Sequence, residues 1–398
     1  MISRDELAAW LRLLLTPQIG PVSARHLLAA FSSPQAVFDA SISARTAVVG
    51  EREARLLAAE PAELAGHVDA TLAWLAEGAD RHVLTLADPL YPRALLEAPD
   101  PPLVLFAQGQ LALLGAASIA LVGSRSPTPQ GRDNAHAFAL EFARAGLVVV
   151  SGLALGVDGA AHEGALEGLP PGALGSTIAV VGTGLDRVYP KRHHALAHRI
   201  AQHGLLLSEC LLGTPPLPPN FPRRNRIIAA LARGTLVVEA ALQSGSLITA
   251  RLATEMGREV FAIPGSIHSP QARGCHALIK QGAKLVETAQ DVLDELFWGA
   301  GGAARSLPGK SGVTAPAPGA AFELAANDVP ATPTTPTMPA ASTDPLLDAL
   351  GFDPIGLDAL SARTGLSSAD LSVRLLDLEL SGQVARLPGQ LFQRRGAA

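Results

Sequence analysis

The sequence predicts an α/β fold in which a parallel sheet follows a helical domain and precedes a small module of helices and strands. Through residues 118–297, short apolar runs alternate with helical stretches. Leucine and alanine recur at helical spacing over residues 1–75, and a second amphipathic pattern covers 345–395. Strands that are joined through helices run parallel and are buried on both faces, which explains their continuous apolar runs.

Length and composition limit the possible functions. At 398 residues the chain can form about two or three domains, and 48% hydrophobic residues can fill a large core. No apolar run reaches the roughly 20 residues that span a bilayer, and the first residues do not resemble a signal peptide. Cys210 and Cys275 are too few for a disulfide framework or a metal site, which favours the cytoplasm. Because the net charge is −5, a polyanion would have to bind a local basic patch.

Residues 1–78 are predicted to form a helical amino-terminal domain. Gly20 lies at a helix–turn–helix junction within residues 17–31. This segment has some likeness to the DNA-binding helix–hairpin–helix, but Val22 and Ser23 stand where that motif has its second glycine. We therefore favour a structural pair of helices over a DNA-binding hairpin.

Residues 79–298 are predicted to form the sheet domain, which begins with a small β-containing connector at 80–110. The predicted strands of the parallel layer are 119–122, 148–150, 178–181, 205–207, 236–238, 260–263 and 284–286. They recur at intervals of roughly 25–30 residues, as in repeated βαβ units. Parallel sheets of this kind bind ligands at the carboxyl ends of their strands.

Glycine-rich turns follow several of these strands, as they do in nucleotide-binding folds. The GTG at 182–184 is not a complete GxGxxG fingerprint, because Arg187 stands where the third glycine would be. The chain also has no GxxxxGK[ST] phosphate loop. The layout is therefore that of a nucleotide-binding fold without either common nucleotide motif.

Basic and amide side chains collect at the same strand ends. Arg125 follows the first strand of the parallel layer, and Lys191 with Arg192 follows the third. A further group opens a helix after the fourth strand: Asn220, Arg223, Arg224, Asn225 and Arg226. Each group alone could be a solvated helix face, but together they predict a basic trough at one edge of the sheet. Such a trough fits the successive phosphates of a single-stranded nucleic acid better than a mononucleotide.

Carboxylates near the strand ends have two interpretations. Glu209 and Glu239 are either catalytic groups or partners that hold arginines such as Arg226, and we favour the second role. Asp158 and His162 lie four residues apart, on one face of a predicted helix. They are either an acid–base pair or a helix-capping aspartate with a polar neighbour, and again we favour the structural role.

The carboxy-terminal part divides into a linker and a folded module. Residues 299–343 are rich in Gly, Ala, Pro and Thr, and this composition predicts a flexible linker. Residues 344–398 have the element order of a winged helix, with helices at 345–350, 356–364 and 367–382 and a wing at 384–393.

The third helix of this module is acidic, with Arg374 as its only base. Winged helices usually bind duplex DNA through this helix, which needs positive charge to approach phosphate. We therefore favour a protein-contact role for the module. Weak DNA binding through Arg386, Arg394 and Arg395 is the alternative.

Eight segments, in order and with matching spacing, resemble the DNA processing protein A family, also called DprA or Smf. They are VGSR (122–125), VVSGLALGVDGAAHEGAL (149–166), VVGTGLDRVYPKRH (180–193), SE (208–209), NFPRRNRIIAAL (220–231), VVEAALQSGSLITA (237–250), GREVFAIPGS (257–266) and GCHALIKQGA (274–283). The helical start and the closing module agree with the layout of the family.

The resemblance implies an extended Rossmann-like domain between a sterile-alpha-motif-like helical domain and a winged helix. It implies a cytoplasmic protein that binds single-stranded DNA without catalysis, cofactor or metal. Members of the family protect incoming single strands in natural transformation and help to load RecA in place of single-strand-binding protein. They act as homodimers, so the implied partners are single-stranded DNA, RecA, single-strand-binding protein and a second copy of the chain.

The resemblance also assigns DNA-contacting residues by their position in the matched motifs. The implied set is Gly123, Ser124, Arg125, Gly152, Lys191, Asn220, Arg224, Asn225, Gly245 and Ser246. The basic trough adds Arg192 and Arg223. Some members carry a lysine just before the NFP-like element, where this chain has Pro218. We therefore expect Arg223 to supply part of the basic surface.

Two other classes of function are kept as alternatives. Phosphoribohydrolases that resemble lysine decarboxylases use the same fold to release a base from a nucleotide, with the signature PGGxGTxxE. This chain has EAALQSGSLITA at that point, so the enzyme is the less favoured alternative. An interaction scaffold without a nucleic-acid role is the other class, and it would not bind an oligo-dT strand.

Overall fold

A computed structural model describes residues 2–173, 175–298 and 344–394 of the chain. The linker that the sequence predicts at 299–343 lies outside the described residues. Among the helices of the described residues, none is both long and apolar enough to cross a membrane.

The predicted helical domain is present at the amino terminus. Its helices are α1 (Arg4–Leu15), α2 (Pro21–Phe31), α3 (Pro34–Asp39), α4 (Ile42–Val49), α5 (Glu51–Leu56) and α6 (Leu64–Ala76). Ser3, Ser33 and Ser41 accept hydrogen bonds from the first turns of α1, α3 and α4, which satisfies backbone N–H groups at these helix starts. Trp74 of α6 meets Phe106 edge-on, with ring centroids 6.1 Å apart, so this domain packs directly on the sheet domain.

The sheet has the predicted parallel strands and two more. Its strands are β1 (Arg81–Thr85), β2 (Val104–Gly109), β3 (Ser118–Val122), β4 (Val148–Ser151), β5 (Thr177–Val181), β6 (Leu205–Ser208), β7 (Gly234–Val237), β8 (Glu259–Ala262) and β9 (Lys284–Leu285). The predicted positions of β3 to β9 are confirmed to within two residues. The connector supplies β1 and β2, and β2 pairs antiparallel with β6, which extends the parallel sheet at one side.

The strand order β1-β2-β6-β5-β4-β3-β7-β8-β9 decides where a ligand can bind. From β3 the chain adds β4, β5 and β6 on one side and then returns to add β7, β8 and β9 on the other. The carboxyl ends of β3 and β7 therefore flank the topological switch point, where open α/β sheets form their binding crevice.

Helices cover both faces of the sheet. They are α7 (Arg93–Leu96), α8 (Pro129–Arg144), α9 (Val157–Glu167), α10 (His194–His203), α11 (Asn220–Leu231), α12 (Ser246–Glu255), α13 (Arg273–Lys280) and α14 (Ala289–Trp298). Because side chains alternate along a strand, Ile119 and Leu121 of β3 pack against α8 and α9, while Ala120 and Val122 belong to the core beneath α11 and α12. The buried apolar runs of the sequence follow from this two-sided cover.

The carboxy-terminal module is the predicted winged helix. It comprises α15 (Pro345–Leu350), β10 (Ile355–Gly356), α16 (Leu357–Thr364), α17 (Ser368–Leu380), β11 (Val384–Leu387) and β12 (Leu391–Arg394). The three strands form a sheet in the order β10-β12-β11. Helix α17 ends two residues before Gly382, which has a φ of 74° and so turns the chain into the wing. Arg395, considered above for weak DNA binding, lies outside the described residues.

Candidate nucleic-acid interface

The turn after β3 presents Arg125 at the switch point. A Cβ atom at Gly123 would lie 2.9 Å from the Glu239 carbonyl oxygen and 2.8 Å from Val157 Cγ2, so the turn needs glycine here. Ser124 donates its N–H to the Glu239 carbonyl at 2.7 Å, and its own carbonyl accepts from Val157 N at 3.1 Å. The backbone is therefore fixed between β7 and α9, while the Arg125 side chain remains exposed.

Arg125 lies over an aromatic ring. Its Cζ is 5.6 Å from the centroid of Phe221, and Phe221 in turn packs on Tyr189 with centroids 5.5 Å apart. These three side chains line one cavity with Gly152 and Arg224. The cavity thus brings together the basic residue after β3, the YPK segment and the start of α11, as the sequence predicts for a common edge.

The loop after β4 has a constrained backbone. Leu153 is not glycine yet has a φ of 58°, a left-handed conformation that disfavours ordinary side chains. The Asp158 carboxylate accepts hydrogen bonds from Gly152 N at 3.2 Å and from Ala154 N at 3.3 Å. His193 Nδ1 lies 2.9 Å from the Leu153 carbonyl oxygen. These contacts hold the loop in its conformation.

The buried ring of His162 also holds this loop through hydrogen bonds. Its Nε2 accepts from Leu153 N at 3.3 Å, and its Nδ1 lies 2.7 Å from Thr177 Oγ1, whose hydroxyl donates to the Val149 carbonyl. Nδ1 therefore carries the proton of a neutral ring.

Burial lowers the pKa of His162 to about 3, and His193 and Arg224 add to the effect.

Asp158 and His162 thus build the loop, which is the structural role that the sequence favours. The helix-cap part of that prediction is wrong in detail. Gly156 occupies the N-cap of α9 without a side-chain cap, and Asp158 lies in the first turn. Its carboxylate reaches back to N–H groups of the preceding loop, because the strained backbone there turns them towards it.

Arg224 is buried rather than exposed along the trough, with 5% relative exposure. Its Nη1 donates to the Val180 carbonyl at 2.8 Å, and its Nη2 lies 3.7 Å from Asp158 Oδ2. The guanidinium occupies the space that the missing side chain of Gly152 leaves. Burial lowers the pKa of Arg224 and raises that of Asp158, and the attraction between the two groups opposes both shifts.

The two predicted asparagines are bonded to neighbouring loops. Asn220 Nδ2 donates to the Gly182 carbonyl at 3.2 Å, and Asn225 Nδ2 donates to the Gly245 carbonyl at 3.3 Å. Gly245 is the N-cap of α12, and the following Ser246 is buried. The amides therefore connect the start of α11 to the turn after β5 and to the start of α12.

Four basic side chains of the predicted trough are exposed: Arg125, Lys191, Arg192 and Arg223. Arg223 Nε is 3.4 Å from Glu209 Oε1, although the arginine side chain keeps 53% exposure. Across residues 2–173, 175–298 and 344–394, none of the other three forms an ion pair with a carboxylate. Three cations near the carboxyl ends of β3 and β5 are thus free to meet an anion.

Both strand-end carboxylates, Glu209 and Glu239, bind other groups of the protein. Glu209 binds Arg226, which also lies 2.9 Å from Asp100, so the prediction that a strand-end carboxylate holds Arg226 is confirmed for Glu209. Burial raises the pKa of Glu209, and the adjacent arginines oppose the shift. Glu239 instead accepts from Thr128 N at 2.9 Å and from Thr128 Oγ1 at 2.5 Å.

Tyr189 and Phe221 are functional candidates that the sequence analysis did not single out. Aromatic residues make up 4% of the chain, yet these two lie inside the YPK and NFP motifs beside the basic groups. An aromatic residue next to a basic motif in such a chain is the signal that could have found them. No group of three or more metal-binding side chains occurs within the described residues.

Comparison with known proteins agrees with this architecture. A family model described as DNA recombination-mediator protein A matches residues 82–297. A DprA winged helix domain matches 330–390, and a DprA-like N-terminal HHH domain matches 4–63. This chain belongs to the DprA/Smf family. Its role is therefore that of a DNA-processing recombination mediator.

Individual relatives in the DprA/Smf family cover most of the chain. Protein Smf from Escherichia coli is 39% identical over 337 residues, which is 83% of this chain and 82% of that one. DNA processing protein DprA from Streptococcus pneumoniae is 49% identical over 211 residues, 53% of this chain and 73% of that one. The crystal structure of DprA from the same species is 39% identical, covers 74% of this chain and 98% of that one, and superposes with a TM-score of 0.61.

The DprA/Smf matches also bear on the amino-terminal helices. HHH stands for helix–hairpin–helix, the motif that the sequence suggests for residues 17–31 as the less favoured alternative to a structural pair of helices. In the structure Gly20 is the N-cap of α2, and Pro21 occupies the first helical position. Val22 and Ser23 therefore lie inside the helix, beyond the connecting turn.

Proposed function

We propose that this protein binds single-stranded DNA along the carboxyl ends of β3 and β5 and the start of α11, and does no chemistry on it. The observation that carries the proposal is the position of Arg125. It is an exposed cation at the topological switch point, it lies over Phe221, and it shares a cavity with Tyr189.

The charges of this edge suit a sugar-phosphate backbone. Arg125, Lys191, Arg192 and Arg223 are exposed cations in a chain whose net charge is −5, so attraction for a polyanion is local. Arginine and lysine at such positions neutralise successive phosphates and release counterions, which makes the affinity fall as salt rises.

The aromatic pair favours a single strand over a duplex. Phe221 and Tyr189 offer ring faces beside the cations, and unpaired bases can stack on them because they are not stacked on partners in a helix. Stacking tolerates any base, so we expect little sequence preference. Arg224, being buried beside Asp158, supports the Gly152 loop instead of contacting the strand.

The family's recombination-mediator role suggests the consequence of binding. We propose that the protein protects incoming strands during natural transformation, loads RecA on them in place of single-strand-binding protein, and acts as a homodimer in the cytoplasm. Both strand-end carboxylates are engaged within the protein, Glu209 with Arg226 and Glu239 with Thr128, which supports binding without catalysis.

Fluorescence anisotropy with a labelled oligo-dT strand tests the binding. We expect saturable binding whose affinity falls steeply as the salt concentration rises. An unlabelled duplex of the same length should displace the labelled strand only poorly. Failure to bind at low salt would contradict the proposal, and release of free base from nucleoside monophosphates would support the phosphoribohydrolase alternative instead.

RecA loading needs its own assay. We expect the protein to restore the DNA-dependent ATPase activity of RecA on strands already coated with single-strand-binding protein. If this activity stays suppressed while oligo-dT binding is intact, the loading part of the proposal is wrong and the DNA-binding part stands.

A further inference from the structure

A second, larger cleft opens between the amino-terminal domain and the sheet domain. It has a volume of about 950 Å³ and lies between α6 on one side and α10 with the loop after β5 on the other. Of the residues proposed above to contact DNA, only Tyr189 lines it, so the purpose of the rest of the cleft is a separate question.

Small side chains on both helical walls leave room in the cleft. Gly66, Ala70 and Ala73 of α6 face it from one side, and Ala197 and Ala201 of α10 face it from the other. Larger side chains at these positions would have filled the space between the helices. Ala70 and Ala73 are exposed, which shows that the cleft is open to solvent.

The floor of the cleft is apolar and its rim is polar. Leu185, Leu206 and Leu212 contribute aliphatic surface, while His67 and His198 stand among the rim residues. The rim therefore offers hydrogen-bonding groups above an apolar base. This combination suits a flat ring with polar edges, which is the chemistry of a nucleobase.

The fixed charges of the rim are largely paired with each other. Arg81 forms an ion pair with Glu77, and Arg187 lies 2.7 Å from Asp186. A phosphate would have to compete with these carboxylates. The cleft is therefore better suited to bases than to the backbone that carries them.

The cleft adjoins the Arg125 cavity. Val181 and Tyr189 line both spaces, and Tyr189 keeps 45% of its surface exposed between them. We propose that a DNA strand bound at Arg125 passes Tyr189 and places the bases of its flanking nucleotides in this interdomain cleft. This inference rests on the proposed single-stranded DNA binding and adds a second segment to the path of the strand.

Filling the cleft tests the inference. Ala70→Trp places an indole in the space, whereas Ala65→Trp places the same side chain on an exposed position of α6 that does not line the cleft. Each variant is measured with oligo-dT strands of about 6 and about 20 nucleotides, lengths within and beyond typical single-strand site sizes. Thermal melting checks that both variants fold.

We expect wild type to bind the longer strand more tightly than the shorter one. Ala70→Trp should weaken binding of the longer strand about five-fold or more, since five-fold is the smallest loss of affinity expected when one stacked base is lost. Binding of the shorter strand should not change. Ala65→Trp should change neither. Wild-type affinity of Ala70→Trp for the longer strand would overturn the inference while the proposed function stands, whereas absence of binding to both strands by wild type would overturn the function itself.

A second measurement uses the unaltered protein. A 5-iododeoxyuridine is placed at successive positions of the longer strand and cross-linked by light. We expect the positions nearest Arg125 to cross-link to Phe221 or Tyr189, and flanking positions to cross-link to His67 of α6 or His198 of α10. Cross-links that never reach α6 or α10 from any position would overturn the cleft as part of the strand path.

Discussion

The guanidinium of Arg224 lies directly against the backbone of Gly152, so that a Cβ atom at position 152 would be only 1.5 Å from Arg224 Nη1. Gly152→Ala must therefore displace the arginine or the loop. We expect it to cost about 1–3 kcal/mol of unfolding free energy, as overpacking of a filled interior does, and to weaken oligo-dT binding. Urea denaturation and anisotropy measure the two effects.

Gly115→Ala is the matched control for this change, because no heavy atom lies within 4 Å of a Cβ placed there. It should leave both the unfolding free energy and the affinity close to wild type. Wild-type stability and affinity in Gly152→Ala would show that Arg224 does not need the space beside the loop.

The buried ion pair at the start of α11 predicts a stability effect. Arg226 and Glu209 are each 7% exposed as side chains, so Arg226→Ala leaves the buried Glu209 carboxylate with only the exposed Arg223, 3.4 Å away, as a cationic partner. We expect a loss of about 3–5 kcal/mol in unfolding free energy. Arg251→Ala breaks an exposed pair with Glu255 and should cost about 1 kcal/mol or less. Equal effects of the two substitutions in urea denaturation would contradict this difference.

His162 predicts a pH dependence of stability. Its folded pKa is lowered to about 3, while the unfolded chain titrates near 6.5. The unfolded state therefore binds the proton first, so the stability from this site is full above pH 6.5 and falls towards pH 3. Between pH 7.5 and 5.5, wild type should lose about 1.4 kcal/mol more unfolding free energy than His162→Gln, which keeps a donor and an acceptor but does not titrate. Equal losses by urea denaturation would mean that His162 is not neutral and buried.

The aromatic pair predicts a change in affinity without a change in electrostatics. Phe221→Leu should weaken oligo-dT binding about five-fold or more, because one stacked base loses its ring partner. The slope of log affinity against log salt should stay the same, since no phosphate contact is removed. A shallower slope, or unchanged affinity, would contradict the assignment of Phe221 as a stacking surface.

Much of the fold could be predicted because its determinants are local. The parallel strands appear in the sequence as apolar runs because they are buried on both faces. The pattern of the last module likewise predicts the helices α15, α16 and α17 and the wing strands β11 and β12 in order, although not the short strand β10. In each of these cases the signal lies within a few residues of the element it predicts.

Other features depend on contacts between distant segments. Arg223, Arg224 and Arg226 lie within one turn of α11, and only the neighbouring loops decide that Arg224 and Arg226 are buried while Arg223 is exposed. The contact of Arg125 with Phe221 joins the turn after β3 to α11, so neither motif alone predicts it. The interdomain cleft also depends on how two domains pack.

The most direct test of the account is the salt dependence of oligo-dT binding by Arg125→Ala. Arg144→Ala is the control, because Arg144 is an exposed arginine paired with Glu141 at the far end of α8. We expect Arg125→Ala to bind more weakly, with a slope of log affinity against log salt that is shallower by about 0.7 for the lost phosphate contact, and Arg144→Ala to match wild type. Wild-type affinity and slope in Arg125→Ala would contradict the claim that the switch-point edge binds the DNA backbone.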